Sequence, residues 1–322
     1  MMTMRAILPL LACLTLFGAE ASAQSDYPSR PVRIIVPSEP GGGTDTTARV
    51  LAEQLSRSTG QQFVIENRPG AGQMIGIDLV ARSPNDGYTL LVAASTITIL
   101  PATNKNAKYD LLRDFAPISQ LVTAPPVLVV NPSLPINSLI EFIAAVKAKP
   151  GEFNFGSAGV GTQPHMAMEL LKDLAGLDMQ HIPYKGVAPA MTDIIAGRVS
   201  SMMVNVLSAK AQIEGGKLRG LAISGSKRFA GLPNLPTVAE AGVPGYEALQ
   251  WFGLFAPSGT PAPILTLLHK ETAEALKSPA MRNRLAADGA DAVGNSPAEF
   301  AELIKFELQK WAKVAHAAKI QP

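Results

Sequence analysis

The alternation of short apolar strands with amphipathic helices constrains the fold of this chain more than any other feature. Val32 to Val36 predicts a strand, and apolar residues at helical spacing predict a helix over residues 44–58. The alternation continues to Ala93, which is typical of parallel strands joined by right-handed crossover helices. A second series of the same kind begins near Ser138. The sequence therefore predicts an α/β fold with two similar lobes, each a mainly parallel sheet flanked by helices.

Two extended segments separate the predicted lobes, and each fits a crossing between them. The first covers residues 121–131 and contains Pro125-Pro126, a pair that disfavours the centre of a sheet. The second covers residues 246–257, after which two amphipathic helices close the chain and are expected to return to the first lobe. The predicted division is residues 24–124 plus 253–322 for lobe 1 and residues 125–252 for lobe 2.

Residues 1–23 have the composition of a secretory signal peptide. Arg5 gives a positive n-region, residues 6–18 form an apolar stretch too short to span a bilayer, and Ala21-Ser22-Ala23 is a small-x-small cleavage signal. We predict cleavage after Ala23 and a soluble product exported to the periplasm. Leu10-Leu11-Ala12-Cys13 also resembles a lipobox, so lipidation at Cys13 is the alternative.

Composition argues against several functional classes. The net charge of +2, with no run of basic residues, gives no support for nucleic-acid binding. Cys13 is the only cysteine, so the mature chain has no thiolate to act as a nucleophile or metal ligand. The four histidines lack metal-ligand spacing, and no nucleophile-elbow motif is present. We therefore predict neither an enzyme nor a metal or cofactor site.

Two glycine-rich loops carry the functional prediction, because each lies between a strand end and a helix start. Loop one is residues 41–45 and loop two is residues 157–162. The free N–H groups and the dipole of a helix N-terminus attract anions, and glycine lets a ligand approach the backbone closely. The Ser, Thr and Asp residues of both loops are also ordinary helix caps, so a purely structural role is the alternative. Two such loops in two lobes favour an anion-binding cleft.

Two residues near loop two have roles that the sequence leaves open. His165 lies in the first turn of the helix after loop two, where it could donate to a ligand or act as a capping or core histidine. Lys185 follows a predicted strand in Tyr184-Lys185-Gly186 and is interpreted as a solvated charge. Neither glycine loop is a nucleotide motif, since loop one lacks the Gly-Lys-Ser/Thr ending of a P-loop.

A series of motifs in one order carries a resemblance to a known family. The motifs are Tyr27-Pro28-Ser29-Arg30-Pro31, Gly41-Gly42-Gly43-Thr44-Asp45, Glu66-Asn67-Arg68-Pro69-Gly70-Ala71-Gly72, Pro84-Asn85-Asp86-Gly87-Tyr88-Thr89-Leu90-Leu91, Asp114-Phe115-Ala116-Pro117-Ile118, Val129-Val130-Asn131-Pro132, Ser157-Ala158-Gly159 to His165, Pro183-Tyr184-Lys185-Gly186 and Leu235-Pro236-Thr237-Val238-Ala239-Glu240-Ala241-Gly242. They cover essentially all of the mature chain. The chain resembles the extracytoplasmic solute receptors of tripartite tricarboxylate transporters, often called Bug proteins.

The resemblance implies a two-lobed, type II-like periplasmic binding protein with two crossover strands that closes on a small di- or tricarboxylate or aromatic acid. It implies that backbone groups, hydroxyls and water in the two loops hold the carboxylate, and that the large and small transporter subunits are the partners of a monomeric receptor. By the same match, Ser95, Thr96 and Asn205 should line the cleft. The full set of predicted ligand-binding residues is Ser38, Glu39, Gly42, Gly43, Thr44, Asp45, Ser95, Thr96, Ser157, Ala158, Gly161, Thr162, Gln163, His165 and Asn205.

Three positions depart from the family pattern. Ser38 stands where the family usually has an aromatic residue, Glu39 follows it where Pro or Ala is usual, and Val204 replaces a frequent Asp before Asn205. A smaller Ser38 enlarges the pocket and the missing acid disfavours an amine, so we expect a bulky and even aromatic dicarboxylate. Glu39 pointing inward would instead favour an amine-bearing or neutral ligand. A receptor that feeds a membrane signalling protein is the other alternative.

Overall fold

The computed structural model describes residues 27–287 and 289–320. The predicted signal peptide, its cleavage point after Ala23 and the lipobox-like Cys13 lie outside these described residues. The described chain forms two sheets, each with helices packed on both faces, and this confirms the predicted two-lobed α/β fold.

The first lobe is built on a six-stranded sheet in the order β11-β4-β10-β3-β1-β2. Strand β1 pairs in parallel with both β2 and β3, whereas β10 is antiparallel to both of its neighbours and β11 is antiparallel to β4. The strands are β1 Val32–Val36, β2 Phe63–Asn67, β3 Thr89–Ala94, β4 Phe115–Ala124, β10 Gln250–Pro257 and β11 Asp291–Ala292.

The second lobe is built on a five-stranded sheet in the order β7-β6-β8-β5-β9. Strand β6 pairs in parallel with β7 and β8, and β5 is antiparallel to β8 and β9. The strands are β5 Pro126–Val130, β6 Asn154–Ser157, β7 Gln180–Pro183, β8 Ser201–Asn205 and β9 Arg219–Ile223.

Both sheets are mixed, so the prediction of mainly parallel sheets is wrong in this detail. The parallel pairs are the predicted strand–helix series, and the antiparallel pairs belong to the strands next to the lobe crossings. The chain leaves the first sheet at Ala124, passes Pro125 and enters the second sheet at Pro126; it re-enters the first sheet at Gln250. An outgoing strand and a returning strand that lie side by side run in opposite directions.

The helices follow from the amphipathic pattern that the sequence shows. Those of the first lobe are α1 Gly43–Thr59, α2 Met74–Ala81, α3 Thr96–Thr103, α4 Leu111–Asp114, α9 Ala262–Lys277, α10 Pro279–Ala287 and α11 Pro297–Ala317. Those of the second are α5 Leu139–Ala148, α6 Gln163–Ala175, α7 Val187–Ile195 and α8 Val206–Glu214. Among the described residues, none of these helices combines the length and the apolar character needed to cross a bilayer.

The last helix, α11, contributes to the cores of both lobes. A capping box between Ser296 and Glu299 fixes its start. Phe300 and Ile304 are fully buried in the core of the first lobe. About two to three turns after Ile304, Trp311 and its neighbours Val314 and Ala315 are buried in the core of the second lobe. The helix therefore connects the lobes in addition to the two strand crossings.

A buried polar group lies in α11 between its two apolar ends. The Trp311 indole N–H donates to Glu307 Oε2 (2.6 Å), and Lys310 forms an ion pair with the same carboxylate. Lys310 also donates to the Glu247 carbonyl (3.3 Å), just before the second crossing. Glu307 is 4% exposed. Its carboxylate thus satisfies two donors at the junction of the lobes.

Replacing Glu307 with Ala should destabilise the protein strongly. The change leaves the Lys310 ammonium and the Trp311 N–H without their acceptor, and breaking a buried pair in this way costs about 3 kcal/mol. The matched control is Glu302→Ala in the same helix, because the Glu302 side chain is 70% exposed and pairs with Lys305; it should cost less than about 0.5 kcal/mol. Urea unfolding followed by circular dichroism measures both. Equal losses would contradict the structural role of Glu307.

Candidate ligand-binding site

The ends of the parallel strands bring the predicted residues of the first lobe to one edge. Ser38 follows β1 and Ser95 follows β3, and these two strands are parallel neighbours with Ile35 opposite Leu91. The carboxyl ends of neighbouring parallel strands form the usual ligand edge of an α/β sheet. Loop one continues from Ser38 into α1 at the same edge, and α3 begins at Thr96, directly after Ser95.

Loop one is held by Asp45, which is 2% exposed. Its carboxylate accepts the Gly41 N–H (2.9 Å), Arg49 Nε (2.9 Å) and Asn67 Nδ2 (2.9 Å), and Asn67 also donates to the Ser38 carbonyl (3.0 Å). Burial by itself would raise the pKa of the Asp45 carboxyl, but the hydrogen bonds from these groups lower it on balance. Asp45 therefore stays charged and acts as the anchor of the loop.

The N-terminus of α1 carries no side-chain cap. Gly42 is the N-cap residue, and no side chain accepts from the first turn. A Cβ atom at Gly43 would lie 3.0 Å from Cζ of Phe252, so this helix start rests against the aromatic ring of a β10 residue. The first N–H groups of a helix have no partner within the helix. Loop one thus presents backbone donors next to an apolar ring.

Two hydroxyls at this edge are buried without a hydrogen-bond partner in the described part of the chain. They are Ser38 Oγ and Ser95 Oγ, and the Trp251 indole N–H shares this property. Trp251 adjoins Ser95 in the sheet, since its carbonyl accepts the Ser95 N–H (2.8 Å). A buried polar group without a partner costs about 1–3 kcal/mol. An acceptor on a bound ligand would satisfy the two hydroxyls.

Loop two is stabilised by its own side chains. Ser157 Oγ accepts the Gly159 N–H (3.0 Å), and Thr162 Oγ1 donates to the Gly159 carbonyl (2.7 Å). Gly161 has φ +73°, and a Cβ atom there would lie 2.6 Å from Thr103 Oγ1. Because Thr103 is the last residue of α3, loop two packs directly against the helix that begins after Ser95. The two lobes therefore meet between loop two and α3.

The α6 helix that follows loop two begins at Gln163. Its N-cap residue Thr162 makes no side-chain capping bond, and Gln163 Nε2 donates to the Ala248 carbonyl (3.4 Å) at the second crossing. Ala158 is half-buried and adjoins Ser157 at the end of β6. The predicted loop-two residues thus surround a second uncapped helix start at the junction of the lobes.

Beneath loop two, the buried His165 stacks on the half-buried His181. His165 Nδ1 accepts the Gly161 N–H (3.1 Å), and its Nε2 lies 3.6 Å from Glu169 Oε1. The His181 ring stacks on it with centroids 3.8 Å apart, and His181 Nε2 lies 2.6 Å from Ser157 Oγ. His165 is 3% exposed, and this environment is that of a capping or core histidine.

The remaining predicted residues lie apart from the loops. Asn205 ends β8, and its Nδ2 donates to Gln250 Oε1 (3.0 Å) at the second crossing. Thr96 is half-buried at the first turn of α3, whereas Glu39 and Lys185 are exposed. No group of three or more potential metal ligands occurs within residues 27–287 and 289–320.

Sequence reasoning missed two residues at the site, Trp251 and Phe252. Both belong to β10, which was interpreted only as a crossing. The sequence feature that could have identified them is the pair of large aromatic residues, because two adjacent rings in a crossing segment indicate that the segment is buried. Phe252 is 5% exposed and Trp251 is 1% exposed.

The sequence of this chain matches a known receptor family over most of its length. The family described as the tripartite tricarboxylate transporter family receptor matches residues 47–320. The chain belongs to this receptor family. Protein BugT of Bordetella pertussis is 41% identical over 312 residues, which are 95% of this chain and 96% of BugT.

Two solved structures of proteins similar to this chain contain a dicarboxylate. Rpa4515 of R. palustris, with adipate, has 38% sequence identity and a TM-score of 0.80, covering 92% of this chain and 100% of that chain. MatC of Rhodopseudomonas palustris, with bound malate, has 31% identity and a TM-score of 0.76, covering 89% of this chain and 99% of that chain. The family and the fold are those of solute-binding receptors.

The histidine pair predicts a specific loss of stability in acid. Burial and the neighbouring His165 lower the pKa of His181 from 6.5 to about 4. Because the folded pKa lies below the unfolded one, the unfolded state binds the proton more readily, and stability falls as the pH drops from about 6.5 towards 4. His181→Gln should make this part of the profile flatter than in the wild type.

Urea unfolding at pH 7 and pH 4.5 measures the effect. The control is His316→Gln, because His316 is exposed on α11; it should retain the wild-type slope. A His181→Gln profile as steep as that of the wild type would show that other groups cause the acid sensitivity.

Proposed function

We propose that this protein is a periplasmic receptor that captures a small carboxylate between its lobes and delivers it to a tripartite tricarboxylate-type membrane transporter. The observation that carries the proposal is the pair of buried, unpartnered hydroxyls, Ser38 and Ser95, beside the uncapped start of α1. Adipate and malate in the related structures supply the ligand class.

The proposed site binds an anion with neutral groups. Helix starts at α1 and α6 supply backbone N–H groups and the positive end of the helix dipole. Arg49, the cation next to loop one, already pairs with Asp45. Each charge-assisted hydrogen bond contributes about 1.5–3 kcal/mol, and micromolar affinity needs about −8 kcal/mol, so a few such bonds suffice.

The departures from the family pattern favour a bulky dicarboxylate. Ser38 leaves space that an aromatic side chain would fill, and the Phe252 ring beside Gly43 offers apolar contact. Val204 is fully buried and provides no acid for an amine. Glu39 is exposed in this structure, which argues against its pointing inward to recruit a cation.

The remaining parts of the proposal concern the whole receptor. We propose that residues 1–23 direct export and are removed after Ala23, and that the mature protein is a monomer which binds without chemical reaction. Lobe 1 would comprise residues 24–124 and 253–322, and lobe 2 residues 125–252, with α11 contacting both. The large and small membrane subunits of the transporter would receive the ligand.

A binding screen of the chain from Gln24 onward tests the proposal. Adipate, malate, citrate, benzoate-type mono- and diacids and amino acids are compared by thermal shift, followed by calorimetry. A ligand at a hundredfold excess over Kd adds about 2.7 kcal/mol of stability, so binding of a dicarboxylate should be visible. The recovered ligand should be chemically unchanged. Binding of amino acids alone, or of no acid, would contradict the proposal.

Replacing Ser95 with Ala should weaken dicarboxylate binding by about tenfold. The change removes one hydroxyl donor, whose hydrogen bond to a charged group contributes about 1.5 kcal/mol or more. Stability should not fall, because the hydroxyl has no partner to lose within the described chain. The control is Ser83→Ala, since Ser83 Oγ donates to the Leu79 carbonyl at the end of α2. Isothermal titration measures both variants, and an unchanged Kd for Ser95→Ala would place Ser95 outside the site.

A further inference from the structure

The tautomer of His165 follows from its contacts. Nδ1 lies 3.1 Å from the Gly161 nitrogen, whose N–H can only donate, so Nδ1 must carry a lone pair. The ring proton therefore lies on Nε2, which faces Glu169 Oε1 at 3.6 Å. A second proton could enter only at Nδ1. Protonation there would turn Nδ1 from an acceptor into a donor, and the Gly161 N–H would lose its hydrogen-bond partner.

Gly161 is the part of loop two with the least freedom to adjust. Its φ of +73° suits glycine, and its Cα faces Thr103 so closely that no Cβ atom would fit. The peptide cannot shift towards α3 without closing on Thr103. Losing the His165 acceptor would therefore reorient loop two on the side that faces the other lobe.

We infer that His165 is a positioning residue for loop two: its unprotonated Nδ1 holds the Gly161 peptide in the binding conformation, so that ligand affinity falls when the imidazole is protonated. This inference rests on the proposed function, in which loop two contacts the ligand. In this inference His165 acts through loop two and does not touch the ligand itself, in keeping with the buried position of its ring.

Several charged and titratable groups lie around His165. On its own helix, Glu169 pairs with Lys172 (2.8 Å), and Lys319, just after α11, lines the same crevice as these two residues. On β7, the pKa of His181 is about 4, so its ring is neutral above that pH. Burial would raise the pKa of Glu169, but hydrogen bonds from His165 and Lys172 lower it on balance.

The neighbouring strand β6 adds no opposing charge. Its residues against the histidine pair are Phe155, whose ring stacks on both imidazoles, and Ser157, which is hydrogen-bonded to Gly159. The titratable and charged groups around His165 are therefore Glu169, Lys172 and His181, with Asp173, Asp178 and Lys319 farther along the same crevice. Only the Glu169 carboxylate is within 4 Å of a His165 nitrogen as an ion-pair partner among the described residues.

The binding arm of the test uses adipate as the probe at pH 7.5, 6.5 and 5.5. From pH 7.5 to pH 5.5, the affinity of the wild type for adipate should fall about tenfold further than the affinity of His165→Asn. The difference is the effect of losing one hydrogen bond. Asn places a carbonyl oxygen near the position of Nδ1 and cannot be protonated, so its profile reports only the ionisation of the ligand. His165→Leu has no acceptor and should bind more weakly than His165→Asn at pH 7.5. His316→Asn, an exposed histidine, should keep the wild-type profile.

The second arm needs no ligand and measures hydrogen exchange of the Gly161 amide in ¹⁵N-labelled protein, corrected for the intrinsic effect of pH. Protection in the wild type should fall by about tenfold between pH 7.5 and 5.5 and stay constant in His165→Asn. Equal profiles for wild type and His165→Asn in both arms overturn the inference. If the wild type binds no adipate, hydrogen exchange of the Gly161 amide alone tests the role of His165. The binding screen then tests the proposed function separately.

Discussion

Strand β10 is the element on which the arrangement of the whole molecule depends. It comes after the entire second lobe in sequence, yet it lies in the middle of the first sheet, antiparallel to both β3 and β4. The first sheet is therefore incomplete until the second lobe has been traversed. The same strand places Phe252 against the start of α1 and Trp251 beside Ser95. The pairing of β10 with β3 and β4 therefore both joins the lobes and places aromatic residues at the candidate site.

The site combines two kinds of residue that look alike in the sequence. Asp45, Thr162 and His165 form hydrogen bonds that hold the backbone of the two loops in shape. Ser38 and Ser95 have hydroxyls that remain without a partner in the described chain. A polar residue in a glycine loop can therefore serve the ligand either through the backbone that it orders or through its own side chain. Only the three-dimensional contacts separate the two roles.

The sequence was most informative where local pattern and tertiary packing agree. Strand β1 and helix α1 were predicted to within one residue at each end, because their apolar patterns match their burial. Helix α3 was missed, since its run of Thr and Ile with an internal Pro101 has poor helix propensity. Packing of Ile97, Ile99 and Leu100 in the cores overrides that propensity.

The pairing of β10 and the double role of α11 could not be predicted for a different reason. Both depend on contacts between segments far apart in the chain, which periodicity does not encode. The buried residues of α11 follow one face of the helix, and Glu307 interrupts the apolar stripe between Ile304 and Trp311. A single polar residue in such a stripe does not show by itself that two different cores lie on either side of it. The residues after β1 and β3 were predicted from the family resemblance, and the neighbouring parallel strands place them at one edge of the sheet.

Helix α11 also determines what can be observed of the lobes in solution. The chain has two tryptophans, and they lie in two of the three segments that connect the lobes: Trp251 in β10 and Trp311 in α11. One indole is packed in the core of the first lobe and the other in the core of the second. Because each indole lies in a segment that joins the lobes, we expect a change in the angle between the lobes to alter its surroundings. Intrinsic fluorescence of the unlabelled protein should therefore report on that angle.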